Sequence, residues 1–260
     1  MHNENTNYDV PILAILFVLL IVGYIFAVLL SNQHYKRWPL YRTSSWALGI
    51  LCIATVFIGP LAELAHTDFT AHMLGHLLLG MIAPLLIVTS APMTLLLRSL
   101  HVKRARQLSS LLKSIPVRLV SDPIVTLTLN MGGLWVLYVT DLYSAMHHNI
   151  FLYLFVHIHV FLAGYLFTAS IVYIDPTPHR TSYIYRTMIL VLASASHGIL
   201  SKYIFTNPPA GVPIAQAEKG AMLMYYGGDT VEIILILIFC FQWYRASKPK
   251  KLFPKKSLDA

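Results

Sequence analysis

The sequence has 260 residues, of which 57% are hydrophobic and only 12% are charged. Soluble domains carry about 25% charged residues, so this composition excludes an ordinary soluble domain. The formal net charge of +8 does not indicate a nucleic-acid partner, because basic residues in such a chain also set its orientation in a lipid bilayer.

Apolar runs long enough to cross a bilayer, about 18 residues or more, recur along the chain. They predict an all-α membrane protein, a seven-transmembrane helix bundle in which residues 1–260 form one integral-membrane domain. Pro84 and Pro92 fall inside the third run, where we expect a kink. In chain order the predicted spans are about Val10–Leu30, Ser44–Leu61, Phe69–Leu97, Ser121–Thr140, Ile150–Ile174, Ser182–Phe205 and Ala221–Tyr244.

The basic residues lie almost entirely on one side of these spans. All but two of the 19 Lys and Arg residues fall in the first, third and fifth connections and in a basic tail at about residues 245–260. The exceptions are Lys202 and Lys219. Because cytoplasmic loops carry the excess of basic residues, we predict an external N-terminus and a cytoplasmic C-terminus. Met1–Asp9 has no Lys or Arg, which favours a retained first helix over a cleaved signal peptide.

Ionisable residues recur at one depth in the predicted external half of four spans. At 1.5 Å per residue, His76, His157, His197 and Asp229 each lie about 10 to 12 Å below the external surface. Residues of this kind are costly in a bilayer and normally face the bundle interior. Each one alone could simply hydrogen-bond to a neighbouring helix. Their common depth favours a shared polar site.

Helix geometry narrows the choice of ligands. His72 and His76 are four residues apart and share one face, the spacing by which a helix presents two imidazoles to one metal ion. His157 and His159 differ by about 200° around a straight helix and cannot both face one centre. We expect His157 to face the site and His159 to bond to a neighbour. The predicted metal ligands are His72, His76, His157, His197 and Asp229.

The side chains near these ligands bear on which metal is bound. Imidazole suits zinc, copper and iron, whereas thioethers select Cu(I). Methionines stand beside histidines at the predicted external mouth, which favours copper. The two cysteines, Cys52 and Cys240, do not form a CxxC motif and argue against a thiolate site. The predicted secondary and uptake residues are His159, His66, His147, His148, Met73, Met146, Met222, Met224 and Glu232.

Motifs in the third, fifth, sixth and last spans form a combination that is typical of one protein family. The third span contains HMLGHLLL, APLL and SAPMTLLLR, and the fifth contains HIHVFLAGYLF followed by DPTPHR. The sixth contains SASHGIL and the last AMLMYYGGD. Over about Phe69 to Tyr244 the chain resembles the multi-pass CtaG-type cytochrome c oxidase assembly factors. It departs from the family where an Asp-Gln pair is usual, since this chain has Gln216 and Glu218 there, and where a glutamate is common instead of Asp229.

The resemblance implies a non-catalytic assembly factor for haem–copper oxidase in the bacterial cell membrane. It implies that the protein binds copper at an outward-facing, histidine-rich intramembrane site and delivers it to oxidase subunits. A copper donor protein is a further candidate partner. By position, the family's residues of interest correspond to His72, His76, His157, His159, His197 and Asp229.

Three other functions use the same residues. An intramembrane zinc hydrolase would bind zinc through three histidines, with Asp229 or Glu232 as general base. A haem-binding protein would take two axial ligands from His76, His157 and His197. A structural partner of the oxidase would need no metal. Metal content and the visible absorption spectrum of the purified protein distinguish these alternatives.

Overall fold

The computed structural model describes residues 6–248, and this part of the chain is helical, without strands. The last twelve residues of the predicted basic tail lie outside the described residues. The helices are α1 (Thr6–His34), α2 (Leu40–Phe57), α3 (Pro60–Ala65), α4 (Phe69–Thr89), α5 (Pro92–Ser99), α6 (Val102–Leu112), α7 (Ile115–Val120), α8 (Pro123–Val139), α9 (Leu142–His147), α10 (Ile150–Ile171), α11 (Tyr183–Thr206) and α12 (Ile214–Ser247).

Six of these helices, α1, α2, α4, α10, α11 and α12, are long and apolar enough to cross a membrane. The prediction of an all-α protein with several membrane-spanning helices is therefore confirmed. The predicted fourth span corresponds to α8, an apolar helix of fewer than 18 residues. The count of seven spans and the orientation of the two termini stay predictions.

The third predicted span is shorter than expected. The prediction of a single kinked helix from Phe69 to Leu97 is wrong. The helix α4 ends at Thr89, and Ala91 has a left-handed backbone with φ of 56°. The helical conformation is disfavoured for a residue that precedes proline. Pro92 therefore begins a new helix, α5, rather than bending the old one.

At Pro84, in contrast, α4 continues through a π-helical segment, Leu78–Ile82. Pro84 has no N–H to donate to the carbonyl of Gly80, and the wider π turn accommodates that missing bond. Gly164 of α10 packs against this same carbonyl, so closely that a side chain at position 164 would overlap the oxygen. A second π segment, Thr128–Gly132, interrupts α8.

The motifs SAPMTLLLR and DPTPHR contact each other at the end of the bundle that is predicted to be cytoplasmic. The carboxylate of Asp175, in DPTPHR, accepts hydrogen bonds from the Thr94 N–H at 2.7 Å and the Thr94 hydroxyl at 2.6 Å. It thereby caps the N-terminus of α5. Arg186 is 1% exposed, donates to the carbonyl of Ile171 at 2.6 Å and lies 4.1 Å from the ring centroid of Tyr173. These contacts fix the connection between α10 and α11.

The buried core joins α4, α8, α10, α11 and α12, and α4 is its central helix. In the most apolar stretch of α4, 67% of the residues are buried, against 11% for α1. Helices α1 and α2 pack beside this core, and they leave large apolar side chains such as Leu19 and Leu51 exposed. In a bilayer we expect these side chains to contact acyl chains, while α1 and α2 cover one side of the core.

Candidate metal site

Four histidines form a file that runs from the surface into the bundle. The ring centroids of His66 and His147 are 6.3 Å apart, those of His147 and His72 6.4 Å, and those of His72 and His157 6.3 Å. His66 and His147 are exposed, whereas His72 and His157 are each 7% exposed. We call these four residues the histidine file.

The spacing of the histidine file suits an ion passed from ring to ring. With a metal–nitrogen bond of about 2.0–2.1 Å and a ring radius of about 1.2 Å, two imidazoles sharing an ion have centroids at most about 6.5 Å apart. Each neighbouring pair in the file lies within this limit. The distances between neighbouring rings therefore allow one ion to bind two of them at once.

Hydrogen bonds orient the two inner rings of the file. Nδ1 of His157 lies 2.8 Å from the carbonyl oxygen of Tyr153 on the same helix. Because a carbonyl only accepts, Nδ1 carries the proton and Nε2 has the free lone pair. The hydroxyl of Tyr138 lies 3.1 Å from Nε2 of His72. The inner rings are thus held in place by neighbouring tyrosines.

At the surface end of the file, the surroundings of His147 favour its neutral form. Burial lowers the pKa of His147, and the nearby charges of His66 and His148 lower it further. The ring of Tyr143 lies 4.8 Å from that of His147, and burial raises the pKa of Tyr143 to about 12. His147 is therefore neutral and able to bind a cation, beside a phenol that keeps its proton.

Deeper in the bundle, His76 and His197 line one cavity of about 30 Å³, enclosed by α4, α8, α10, α11 and α12. His76 is 7% exposed and His197 is 1% exposed. Nε2 of each ring is buried and has no hydrogen-bond partner among the described residues. A buried polar group without a partner costs about 1–3 kcal/mol, so two such nitrogens on one cavity indicate a ligand that binds both.

Carboxyl and amide groups complete the lining of this cavity. Glu232 and Asn130 both line it, and Oε1 of Glu232 lies 3.8 Å from Nδ1 of His197, which is longer than a hydrogen bond. Asp229 is half-buried and lies outside the lining. Its role as a ligand stays a prediction, while Glu232, three residues further along α12, faces the cavity in its place.

His76 connects the cavity to the histidine file. A second cavity, of about 20 Å³, is lined by His76 together with His72, His157 and Tyr138. His76 thus borders both hollows, one on each side. The histidines that could bind a metal ion form a continuous series from His66 at the surface to His197 in the core.

The structure differs from the expected single centre. Among the described residues, no three His, Cys, Asp or Glu side chains form a group that could hold one ion. His72 and His76 share a face, but four residues separate them by about 6 Å along the helix axis. They therefore lie at two levels, His72 in the file and His76 at the deeper cavity.

The secondary residues are distributed around this series. His159 is directed to α8, where its Nε2 lies 3.1 Å from the carbonyl oxygen of Leu129 in the π segment. His148 is exposed and, with His66 and His147, lines an open groove of about 330 Å³ at the predicted external end.

The four methionines do not gather at this groove. Met73, Met146 and Met224 are at most 1% exposed, and Met222 lies in a different groove beside Lys202, between α11 and α12. The structure thus differs from the expected methionine-rich mouth, because helix phase directs Met222 outward and Met224 inward. Their role as copper ligands stays a prediction.

The tyrosines and the amide of the site were not predicted from the sequence. Tyr153 precedes His157 by four residues, a spacing that stacks the two rings, whose centroids are 4.0 Å apart. Tyr138 lies near the end of α8, and its approach to His72 depends on how α8 packs against α4. Tyr143 comes from the connection after α8, whose path the sequence does not reveal. Asn130 was detectable, because it is the one amide in the apolar stretch of α8.

Replacing Gly228 with alanine should disturb the deep cavity, because a Cβ at this position would overlap the ring of His197. Overpacking of this kind costs about 1–3 kcal/mol, so we expect Cu(I) to bind about tenfold more weakly. The control is Gly198→Ala on α11, where the nearest atom, of Tyr225, would lie at an ordinary 3.6 Å. Equal Cu(I) affinities of the two variants in a competition titration would contradict this placement of His197.

Comparison with known proteins identifies the family of this chain. Residues 22–246 match the family model described as cytochrome c oxidase caa3 assembly factor (Caa3_CtaG). An uncharacterized protein of Mycobacterium leprae is 28% identical over 251 residues, which cover 88% of this chain and 38% of the relative. Uncharacterized proteins of Mycobacterium bovis and Mycobacterium tuberculosis are each 31% identical over 254 residues, 89% of this chain and 38% of theirs. The chain thus spans about two fifths of the length of these curated relatives, and no solved structure matches it significantly.

Proposed function

Since the chain belongs to the family of cytochrome c oxidase caa3 assembly factors, we propose that it binds copper as cargo and delivers it to subunits of a haem–copper oxidase. The family resemblance inferred from the motifs of Phe69–Tyr244 is confirmed, because the matched region spans residues 22–246. We place this activity in the bacterial cell membrane, with a copper donor protein supplying the ion.

The observation that carries the proposal is the pair of buried, unpartnered Nε2 atoms of His76 and His197 on one cavity. Imidazole nitrogens suit copper, and Cu(I) is stable with as few as two ligands. A cavity of about 30 Å³ admits one ion or water molecule but not a porphyrin. Catalytic zinc sites use three protein ligands, and among the described residues no three His, Cys, Asp or Glu side chains form such a group. The donor set therefore favours copper over haem or zinc.

Transfer would proceed by ligand exchange. Copper would bind first at the open groove beside His66 and His147, then pass to His72 and His157. At each step the bond to one imidazole breaks as the bond to the next forms, without a change of oxidation state. The protein's contribution is to hold neutral imidazoles within reach of one another and to exclude water with apolar neighbours such as Val160 and Leu137. His76 and His197 would hold the ion at the deepest point of this route, and His76, which lines the cavity shared with His157, would return it to His157 for delivery.

The proposal is tested by metal analysis of the purified full chain after anaerobic incubation with Cu(I) and, separately, with zinc and haem. We expect stoichiometric copper that survives desalting and no Soret absorption band. Cells lacking the protein should lose oxidase activity and regain it in excess copper. Stoichiometric zinc with amidase activity, a Soret band, or a chain that retains no metal would each overturn the copper proposal in favour of one named alternative.

A further inference from the structure

A large groove on the side of the bundle faces the membrane. It has a volume of about 510 Å³ and lies between α1, α2, α4, α5 and α10. Its walls are apolar, with Phe17 from α1, Trp46 from α2 and Leu162 from α10 among them. Because α1 and α2 are apolar helices long enough to cross a membrane, we expect this groove to open toward the acyl chains of the bilayer. We call it the lateral groove.

His157 borders the lateral groove as well as the cavity shared by His72 and His76. Only His157 and Leu79 line both hollows, and no charged side chain of the described residues lines the groove. The ring of Phe57, at the C-terminus of α2, lies 5.7 Å from that of His157 at an angle of 59°. His157 and Leu79 thus lie between the buried histidines and the groove, and Phe57 packs against His157 on the groove side.

The hydrogen bonding of His157 leaves its other nitrogen free. Nδ1 is bound to the carbonyl of Tyr153, and Nε2 makes no hydrogen bond to any described residue. A neutral imidazole at an apolar boundary can hold a cation on its inner side without presenting a charge of its own to the lipid. These features distinguish His157 from His66 and His147, which face the open groove at the other side of the file.

We infer that His157 is the exit ligand for copper and that the ion leaves sideways, past Phe57, into the lateral groove. The inference rests on the proposed function and names its route of delivery. In this step the bond between copper and Nε2 of His157 breaks as a bond forms to a nitrogen ligand of an acceptor at membrane depth. The Nδ1 proton stays in place, and copper keeps its oxidation state. Phe57 screens the ligand until the acceptor arrives.

The test compares two chelators acting on the full chain, loaded with Cu(I) in lipid nanodiscs. Neocuproine partitions into the bilayer, whereas sulfonated bathocuproine stays in water. Leu162→Trp fills the groove and should slow transfer to neocuproine about tenfold, with transfer to sulfonated bathocuproine unchanged. Leu192→Trp is the matched control, because Leu192 is 54% exposed on α11, outside the groove.

Phe57→Ala is an independent test in which the rate should change in the opposite direction to that in Leu162→Trp. Removing the screening ring should speed transfer to neocuproine and leave transfer to sulfonated bathocuproine unchanged. The route is overturned if Leu162→Trp and Phe57→Ala leave neocuproine transfer unchanged, or if they alter transfer to both chelators equally. A wild-type chain that loads no copper at the outset overturns the proposed function, and this route with it. A chain that loads copper but releases it only to sulfonated bathocuproine overturns the route alone.

Discussion

Simultaneous replacement of His76 and His197 by alanine is expected to abolish copper retention by the purified chain. Loss of an outer partner of a metal ligand costs about 10–100-fold in affinity, so removal of both direct ligands should exceed that range. Each single replacement should weaken Cu(I) binding, because the remaining nitrogen cannot hold the ion alone. Competition titration against a soluble Cu(I) chelator measures the effect.

The matched control for this prediction is His159→Ala. His159 lies in the same layer but bonds to the carbonyl of Leu129 and lines neither cavity. Its replacement should leave the copper content unchanged, even if it lowers stability by the cost of one hydrogen bond, about 1 kcal/mol. Wild-type copper content in the double variant, or an equal loss in His159→Ala, would contradict the assignment.

The second large effect is expected for Gly164→Ala, a change of one methyl group. A Cβ at this position would overlap the carbonyl oxygen of Gly80, which belongs to the backbone and cannot rotate away. Overpacking against a side chain costs about 1–3 kcal/mol, and here we expect the upper end of that range or more. Thermal unfolding of the detergent-solubilised chain measures the loss.

Gly23→Ala is the control, because no heavy atom lies within 4 Å of the position where its Cβ would be. Alanine is favoured over glycine inside a helix by about 0.5–1 kcal/mol, so this variant should be slightly more stable than the wild type. The two substitutions should therefore have opposite signs. Equal melting temperatures would mean that the close approach of α4 and α10 is wrong.

Gly164→Ala should also weaken copper binding. The carbonyl that it displaces belongs to the π segment of α4, and a Cβ at Gly80 would itself lie 3.3 Å from the ring of His76. Movement of this segment therefore shifts a proposed ligand. Stability and copper affinity should fall together in this variant.

The helices that span the membrane were predictable because hydropathy is a local property of the sequence. The break at Ala91 was not, because Pro92 alone leaves a kink and a break equally open, and the carboxylate that caps α5 after the break comes from Asp175, across the fold. Proline alone does not decide between a kink and a break: Pro84 is absorbed by a π segment, whereas Pro92 begins a new helix.

The sequence predicts which polar residues recur at one level along the helices, but not how their side chains are arranged. Counting residues predicts a common level for His76 and His197, while their facing directions depend on how the helices pack. The π segments Leu78–Ile82 and Thr128–Gly132 change the helical phase on either side of them, and a regular pattern does not reveal them. For this reason the separation of the histidine file from the deeper cavity, and the place of Glu232 beside that cavity, required the structure.

The most direct test of the account is X-ray absorption spectroscopy at the copper edge of the Cu(I)-loaded chain. The account predicts a first shell of nitrogen atoms with the outer scattering of imidazole rings. This signal should disappear in the His76 and His197 double variant and persist in His159→Ala. A first shell that contains sulfur, or a nitrogen shell that the double variant retains, would contradict it.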